Sequence, residues 1–273
     1  MTQQGSYHVQ SIASNIEIEI KRLQAQVELF WQNELKHYIE FGLRDGMSVV
    51  ELGAGPGFMI DKIAAHFSQC DLTALEIDPL LVEYAKNLLT QRERQHCTIL
   101  QGSIMATELP TNSFDFALIR MVLEHLPDTA GAMREVWRIL KPGGKAIFVD
   151  NDFEMHIMTY PHIPELRELY DAYCQARHSE GGHPKIGREL PVLLKKNGFT
   201  HVAFEVISAH SNIVGDEMFF RSEGIGIPSK LVKDGYLSSK TLGKISVGWR
   251  NMVKHQDHAI IRQIYLAAGE KTL

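Results

Sequence analysis

The chain has 273 residues, 44% of them hydrophobic, which suffices for one elaborated domain with a sizeable core. Its formal charge is −5 with both signs intermixed, so it lacks the basic stripe of a nucleic-acid binder, and no apolar run is long enough to span a bilayer. The polar start, Met1 to Gln10, has no signal-peptide layout, and Cys70, Cys97 and Cys174 form neither a disulfide framework nor a zinc pattern, so a cytoplasmic protein is expected.

In chain order, Ser14 and Glu17 read as a capping box ahead of Ile16, Ile20, Leu23, Val27, Phe30 and Leu35 at helical spacing. This amphipathic helix predicts an N-terminal cap over residues 1–45, closed by Gly42 and Asp45-Gly46. From residue 46 short apolar strands alternate with helices. The expected strands are 48–52, 72–76, 98–100, 114–119 and 145–149; the expected helices are 58–67, 79–91 and 129–140, the last stopped by Lys141-Pro142-Gly143-Gly144. Such alternation predicts an α/β, doubly wound, Rossmann-like parallel sheet with helices on both faces. A helix over 187–197 and strands over 201–207 and 259–267 follow. Two segments interrupt the pattern, at about 152–185 and 216–257, and are expected to form lid insertions carrying substrate-specific structure within a domain that runs from 46 to 273.

The strongest local signal is Val49-Val50-Glu51-Leu52-Gly53-Ala54-Gly55-Pro56-Gly57. Apolar residues end a strand, glycines permit a sharp turn and close ligand approach, and the next helix offers free N–H groups. Glu76 closes the following strand, where a carboxylate can accept hydrogen bonds from both ribose hydroxyls of a bound adenosine. The spacing is Gly-x-Gly-x-Gly with Glu51 two residues ahead. Dinucleotide enzymes more often have Gly-x-Gly-x-x-Gly, which disfavours a nicotinamide oxidoreductase.

The stretch Glu51–Gly57 resembles the first motif of class I S-adenosylmethionine-dependent methyltransferases. Glu76, Phe114-Asp115-Phe116-Ala117, Leu123-Glu124-His125-Leu126-Pro127-Asp128 and Arg138-Ile139-Leu140-Lys141-Pro142-Gly143-Gly144 match the later motifs in order, so the resemblance covers residues 46–150. It implies a sheet of seven strands with the last antiparallel, and S-adenosylmethionine as cofactor. It also implies cofactor contacts from Glu51, Gly53, Ala54, Gly55 and Gly57, ribose contact from Glu76, and adenine contacts from Ile77, Gly102, Ser103 and Ile104. Ser103 stands where many relatives have aspartate. Arg120 and Met121 are expected beside the methyl-transfer site. Glu19–Gln26, with Lys21-Arg22-Leu23-Gln24-Ala25-Gln26, and Glu180-Gly181-Gly182-His183-Pro184 with Gly187-Arg188 resemble natural-product methyltransferases more loosely. By that likeness Tyr7 or Arg22 closes over the cofactor.

Methyl transfer is an in-line displacement at a sulfonium carbon, so the protein must chiefly align the reactants in a dry site. A general base helps where the nucleophile must lose a proton. The candidates are His125, Asp152, His156 and His183; Asp152 and His156 follow the fifth strand at the ligand-binding edge of the sheet and are favoured. Glu124 and His125 are adjacent, with no further ligand set, so no metal is expected. Ile119-Arg120-Met121-Val122 replaces the Pro-Pro-Tyr-type motif of amino-methylating nucleic-acid enzymes. The expected function is therefore methylation of a nitrogen, oxygen or carbon on a small-molecule acceptor, in specialised metabolism, with no nucleic-acid or membrane partner. Nucleic-acid or protein methylation and a non-catalytic cofactor-binding regulator stand as alternatives. A homo-oligomer is left open.

Overall fold

A computed structural model of the protein describes residues 16–224 and 226–272; Tyr7 and Ser14 lie outside that range. Helix α1 (Ile16–Glu40) leads into β1 (Ser48–Leu52), α2 (Phe58–His66), β2 (Asp71–Glu76), α3 (Pro79–Gln91), β3 (Cys97–Gln101) and β4 (Phe114–Arg120). After a short 3-10 turn, Leu123–His125, come α4 (Thr129–Ile139), β5 (Leu140–Asp150), β6 (Ile157–Tyr160) and α5 (Glu165–Ser179). A second 3-10 turn, Ile186–Glu189, precedes α6 (Leu190–Lys196) and β7 (Thr200–His210). Four helices follow, α7 (Ser211–Val214), α8 (Asp216–Glu223), α9 (Gly226–Lys233) and α10 (Ser239–Met252), and β8 (Ala259–Glu270) ends the sheet.

The strand order is β3-β2-β1-β4-β5-β8-β6, with β7 also paired to β8. Strands β1 to β5 run parallel, and β8 is antiparallel to each of β5, β6 and β7. The Rossmann-like sheet with an antiparallel last strand is thus present, with an eighth strand, β6, added. Its Ile157–Tyr160 pairs with Arg262–Ala259, beyond the stretch of β8 that β5 occupies. Four half-exposed residues carry too little periodicity to announce a strand. The Leu140–Asp150 strand also begins earlier than expected: Leu140 pairs with Phe114, and the register slips before Lys145 meets Phe116, which accommodates Pro142-Gly143-Gly144.

Successive residues of the central strands face opposite cores, as a sheet covered on both sides requires. Val49, Leu118, Ile147 and Val149 pack with Phe30 of α1, Met59 and Ile63 of α2 and Val82 of α3. Val50, Ala117, Ile119 and Phe148 pack with Met133 and Val136 of α4 and Leu190 and Leu194 of α6. Asp78 caps α3 by accepting from the Leu80 N–H, and Pro79 supplies the preset φ of a first helical residue.

Helix α1 is held to the sheet by more than apolar contact. The Arg120 guanidinium, at the carboxyl end of β4, binds both oxygens of fully buried Glu34 at 2.9–3.1 Å and the Gln26 carbonyl at 3.1 Å. The Tyr38 hydroxyl donates to the same carboxylate. A buried pair of this kind contributes modest net stability when intact but is costly to break. Glu34→Met alone is expected to cost about 3–5 kcal/mol in urea unfolding, because Arg120 is left buried and unpaired, whereas Glu34→Met with Arg120→Met recovers most of the loss. Equal losses in the single and double variants would contradict this reading.

Candidate functional site

The Gly53–Gly57 loop leaves β1 and turns into α2. Gly53, Gly55 and Gly57 have φ of 78°, 54° and 83°, the left-handed region where a side chain is strained. At Gly53 and Gly57 a Cβ would also collide, 2.4 Å from a Val122 methyl and 2.9 Å from Ala85 Cβ. Gly55 differs, since a Cβ there would meet nothing within 4 Å. Its outer face therefore opens onto free space, as a ligand cradle requires.

The loop is pinned to β2. Gly53 and Ala54 N–H groups donate to the Leu75 carbonyl, and the Gly55 N–H donates to Glu76 Oε2 at 2.8 Å. Glu76 Oε1 accepts from the N–H groups of Ile77 and Asp78 at 2.8 and 2.9 Å. Burial raises the Glu76 carboxyl while these three donors pull it back. Both carboxylate oxygens are thus engaged by backbone beside the open face of Gly55. Ile77, one residue after Glu76, stands 42% exposed, while Ile104 is buried. The Gly102 N–H donates to the Glu76 carbonyl, and Ser103 Oγ accepts from the Met105 N–H at 3.2 Å, which leaves the Ser103 hydroxyl proton to give.

Glu51 ends β1 within the fold, 3% exposed, and its Oε2 has no hydrogen-bond partner. Burial pushes its carboxyl up to about 8, against the pull of Arg120. A buried, unsatisfied acceptor beside the loop suits the ammonium of the methionine part of S-adenosylmethionine. Met121, next to Arg120, adopts φ 55°, rare for a non-glycine residue, and its N–H donates to the Val149 carbonyl.

Beyond the ends of β4 and β5 lies a second group of buried polar atoms without hydrogen-bond partners: Glu124 Oε2, Asn151 Oδ1, His156 Nδ1, Glu223 Oε1 and Nε and Nη1 of Arg262. Such atoms are rare in native proteins, and their concentration at one sheet edge makes it a candidate site. Glu124 receives the Asn151 amide at 2.8 Å, and burial drives the carboxyls of both Glu124 and neighbouring Asp150 upward. His125 is held well below the usual imidazole range by burial, then by the charges of Arg177 and Arg22. It is therefore neutral and weakly basic. Arg22 is paired on α1 with Glu19 at 2.6 Å and lies against Gly224.

Asp152 and His156 fall in separate networks. Asp152, fully buried, is bound through both oxygens by Arg188. His156 stacks on Phe153 at 4.4 Å and shares its Nε2 with Glu223 Oε2 at 3.2 Å. His183 joins the site through its backbone, whose N–H donates to the Glu124 carbonyl. Glu223 also lies 3.2 Å from Arg262 Nε, close enough for charge attraction but without hydrogen-bond alignment. Burial acts to raise the Glu223 carboxyl, and Arg262 and His156 overcome it and bring it to about 2. Beside this group opens a cavity of about 340 Å³, walled by Phe153, Tyr170, Tyr173, Phe219, Phe220 and Trp249 together with aliphatic side chains and Glu223. Among the described residues no cluster of three or more His, Cys, Asp or Glu is arranged to hold a metal.

Glu34, Asp150, Glu223 and Arg262 were not singled out from sequence. Arg262 had a visible signal, a cation within the apolar run Ala259–Ala267. Glu223 had none, because its significance arises only when α8 meets β8.

Two outcomes follow for cofactor binding. Glu76→Ala is expected to weaken S-adenosylhomocysteine binding by about 1.5–3 kcal/mol in calorimetry, the range for hydrogen bonds to a charged group. Because the ligand ammonium favours ionised Glu51, and Glu51 is largely protonated below pH 8, affinity should rise between pH 6.5 and 8 with proton release on binding. Glu51→Gln should abolish that release; release unchanged in the variant would contradict the assignment.

Residues 50–148 match a family described as "Methyltransferase domain". A demethylmenaquinone methyltransferase of Lactococcus lactis is 25% identical over 177 residues, 63% of this chain and 67% of that protein. A sterol 24-C-methyltransferase of Aspergillus fumigatus is 30% identical over 125 residues, 44% of this chain but 33% of the relative. A structure of phosphoethanolamine N-methyltransferase 2 of Haemonchus contortus, with phosphomonomethylethanolamine and S-adenosylhomocysteine, superposes with a TM-score of 0.59 at 19% identity. It covers 89% of this chain and 53% of that one, a likeness of fold. The glycine loop with Glu76, the sheet order and the family match agree: residues 50–148 are a methyltransferase domain of the class I, S-adenosylmethionine-dependent kind.

Proposed function

We propose that the protein transfers a methyl group from S-adenosylmethionine to a nitrogen, oxygen or carbon of a small, partly apolar molecule of specialised metabolism. The observation that carries this reading is the aromatic cavity of about 340 Å³ beside the polar edge of β4 and β5. Its size and lining suit a metabolite-sized acceptor. The relatives named for demethylmenaquinone and for a sterol point the same way. No described helix is long and apolar enough to cross a membrane.

The bound cofactor supplies a methyl group already activated by its sulfonium charge. The chain has to hold the acceptor in line and keep water out, and good alignment lowers such a barrier by about 7–11 kcal/mol in favourable cases. Phe219 and Tyr173, nearly inaccessible to solvent, close the cavity wall. Of the proposed catalytic residues, His156 is the one set against this wall, through Phe153, Tyr170 and Glu223. Burial keeps its imidazole below the usual range and so neutral at pH 7. Asp152, engaged by Arg188, ties the segment after β5 to the loop before α6. His125 shapes the turn between cofactor and acceptor.

Radiolabelled S-adenosylmethionine offered to RNA, DNA, protein and a metabolite extract should label only the low-mass fraction; label confined to a macromolecule overturns the reading. With an acceptor in hand, His156→Ala should lower turnover by about 10²-fold, the cost of a misplaced reactant, and leave S-adenosylhomocysteine affinity within about twofold. Parallel loss of both would place His156 in cofactor binding instead.

A further inference from the structure

The cavity wall is mostly apolar, with hydroxyls from Tyr170, Tyr173 and Ser246. Among the described residues of its lining, Glu223 is the only charged side chain. Its Oε2 meets His156 Nε2 at 3.2 Å and its buried Oε1 lies 3.2 Å from Arg262 Nε, while a quarter of the side chain remains exposed. Arg262 is itself 1% exposed and sits over the Phe30 ring at 5.4 Å. Two buried side chains and the Tyr170 hydroxyl of the cavity wall thus hold one carboxylate in the lining of an aromatic chamber.

We infer that Glu223 is the specificity-determining residue of the acceptor site, and that it selects a ring-bearing acceptor carrying a neutral hydrogen-bond donor, a hydroxyl or N–H, on an otherwise apolar body. This inference rests on the small-molecule reading above. A carboxylate can only accept hydrogen bonds. A carbonyl or ether oxygen facing it would be desolvated without a partner and repelled, so discrimination against such groups is strong. A cationic head is less suited, because Arg262 already balances the Glu223 charge and leaves little net field there. His156 and Arg262 are positioning residues here: they act through Glu223 by holding its orientation and its ionised state. The tilted and edge-on rings of Phe153, Tyr170, Phe220 and Trp249 supply the apolar contact for the body of the acceptor.

The test uses two matched neutral probes, 2-naphthol and 2-methoxynaphthalene, which share a ring system and differ in the donor. Each is titrated into the full chain saturated with S-adenosylhomocysteine. The wild type should bind the naphthol at least about tenfold more tightly than the methyl ether, the least expected for one hydrogen bond to a charged group. Glu223→Leu should remove that preference by weakening the naphthol alone, and Glu223→Gln, which keeps an acceptor oxygen, should retain part of it. Equal affinities in the wild type, or a preference that survives in Glu223→Leu, overturn the inference. So does the absence of binding by both rings. S-adenosylhomocysteine binding, measured in the same samples, separates the cases: its loss in the wild type strikes the methyltransferase reading, whereas its persistence beside donor-blind ring binding strikes this inference alone.

Discussion

The Glu76 carboxylate draws together backbone from two βα loops. A parallel sheet delivers its loops to one edge with N–H groups unpaired, and a buried carboxylate satisfies several of them at once. Here Gly55 donates from the loop after β1, and Ile77 and Asp78 donate from the loop after β2. The three donors hold the Gly53–Gly57 turn against β2, and that turn in turn leaves Gly55 open to a ligand. One side chain therefore fixes the shape of both loops. The conformations of Gly53 and Gly57 are consequences of the same close approach, since Val122 and Ala85 lie where their side chains would go.

Ionisable groups are buried repeatedly around this edge, and three oppositely charged pairs stand among them. Arg120 binds Glu34, Arg22 binds Glu19, and Arg262 lies beside Glu223. Pairs of this sort add little net stability compared with apolar packing, but each is costly to break. They place polar groups in an interior where a small molecule can be aligned and kept dry. They also link the parts of the chain that surround the site. Glu34 and Arg22 come from α1, Glu223 from α8 and Arg262 from β8, and all converge on the region above β4 and β5. The orphaned atoms Glu124 Oε2, Asn151 Oδ1 and His156 Nδ1 mark the same region from the sheet side.

Most of the parallel sheet was legible in the sequence because each strand there is a short apolar run bounded by turn residues. Val49 to Leu52 and Phe116 to Ile119 are buried on both faces and read as such. The cofactor loop was legible for a similar reason: Gly53, Gly55, Gly57 and Glu76 are bound to local backbone geometry. What escaped is what depends on distant parts of the chain meeting. β6 exists because β8 extends past the end of β5 and offers Ala259–Arg262 for pairing. Glu223 gains its role from Arg262, 39 residues later, and from His156, 67 residues earlier. Asp152 and His156, four residues apart and grouped by sequence position, separate because Arg188 takes one and Glu223 the other.

The central claim is that the nucleoside of the cofactor lies over the Gly53–Gly57 loop with its ribose at Glu76. A crystal structure of the chain with S-adenosylhomocysteine tests it most directly. The account predicts ribose hydroxyl oxygens within about 3 Å of the Glu76 carboxylate, the ordinary hydrogen-bond distance, and the sulfur on the side of Met121 and Glu124. Ligand density elsewhere on the sheet edge, or a ribose held by other residues with Glu76 still bound only to backbone, would contradict it.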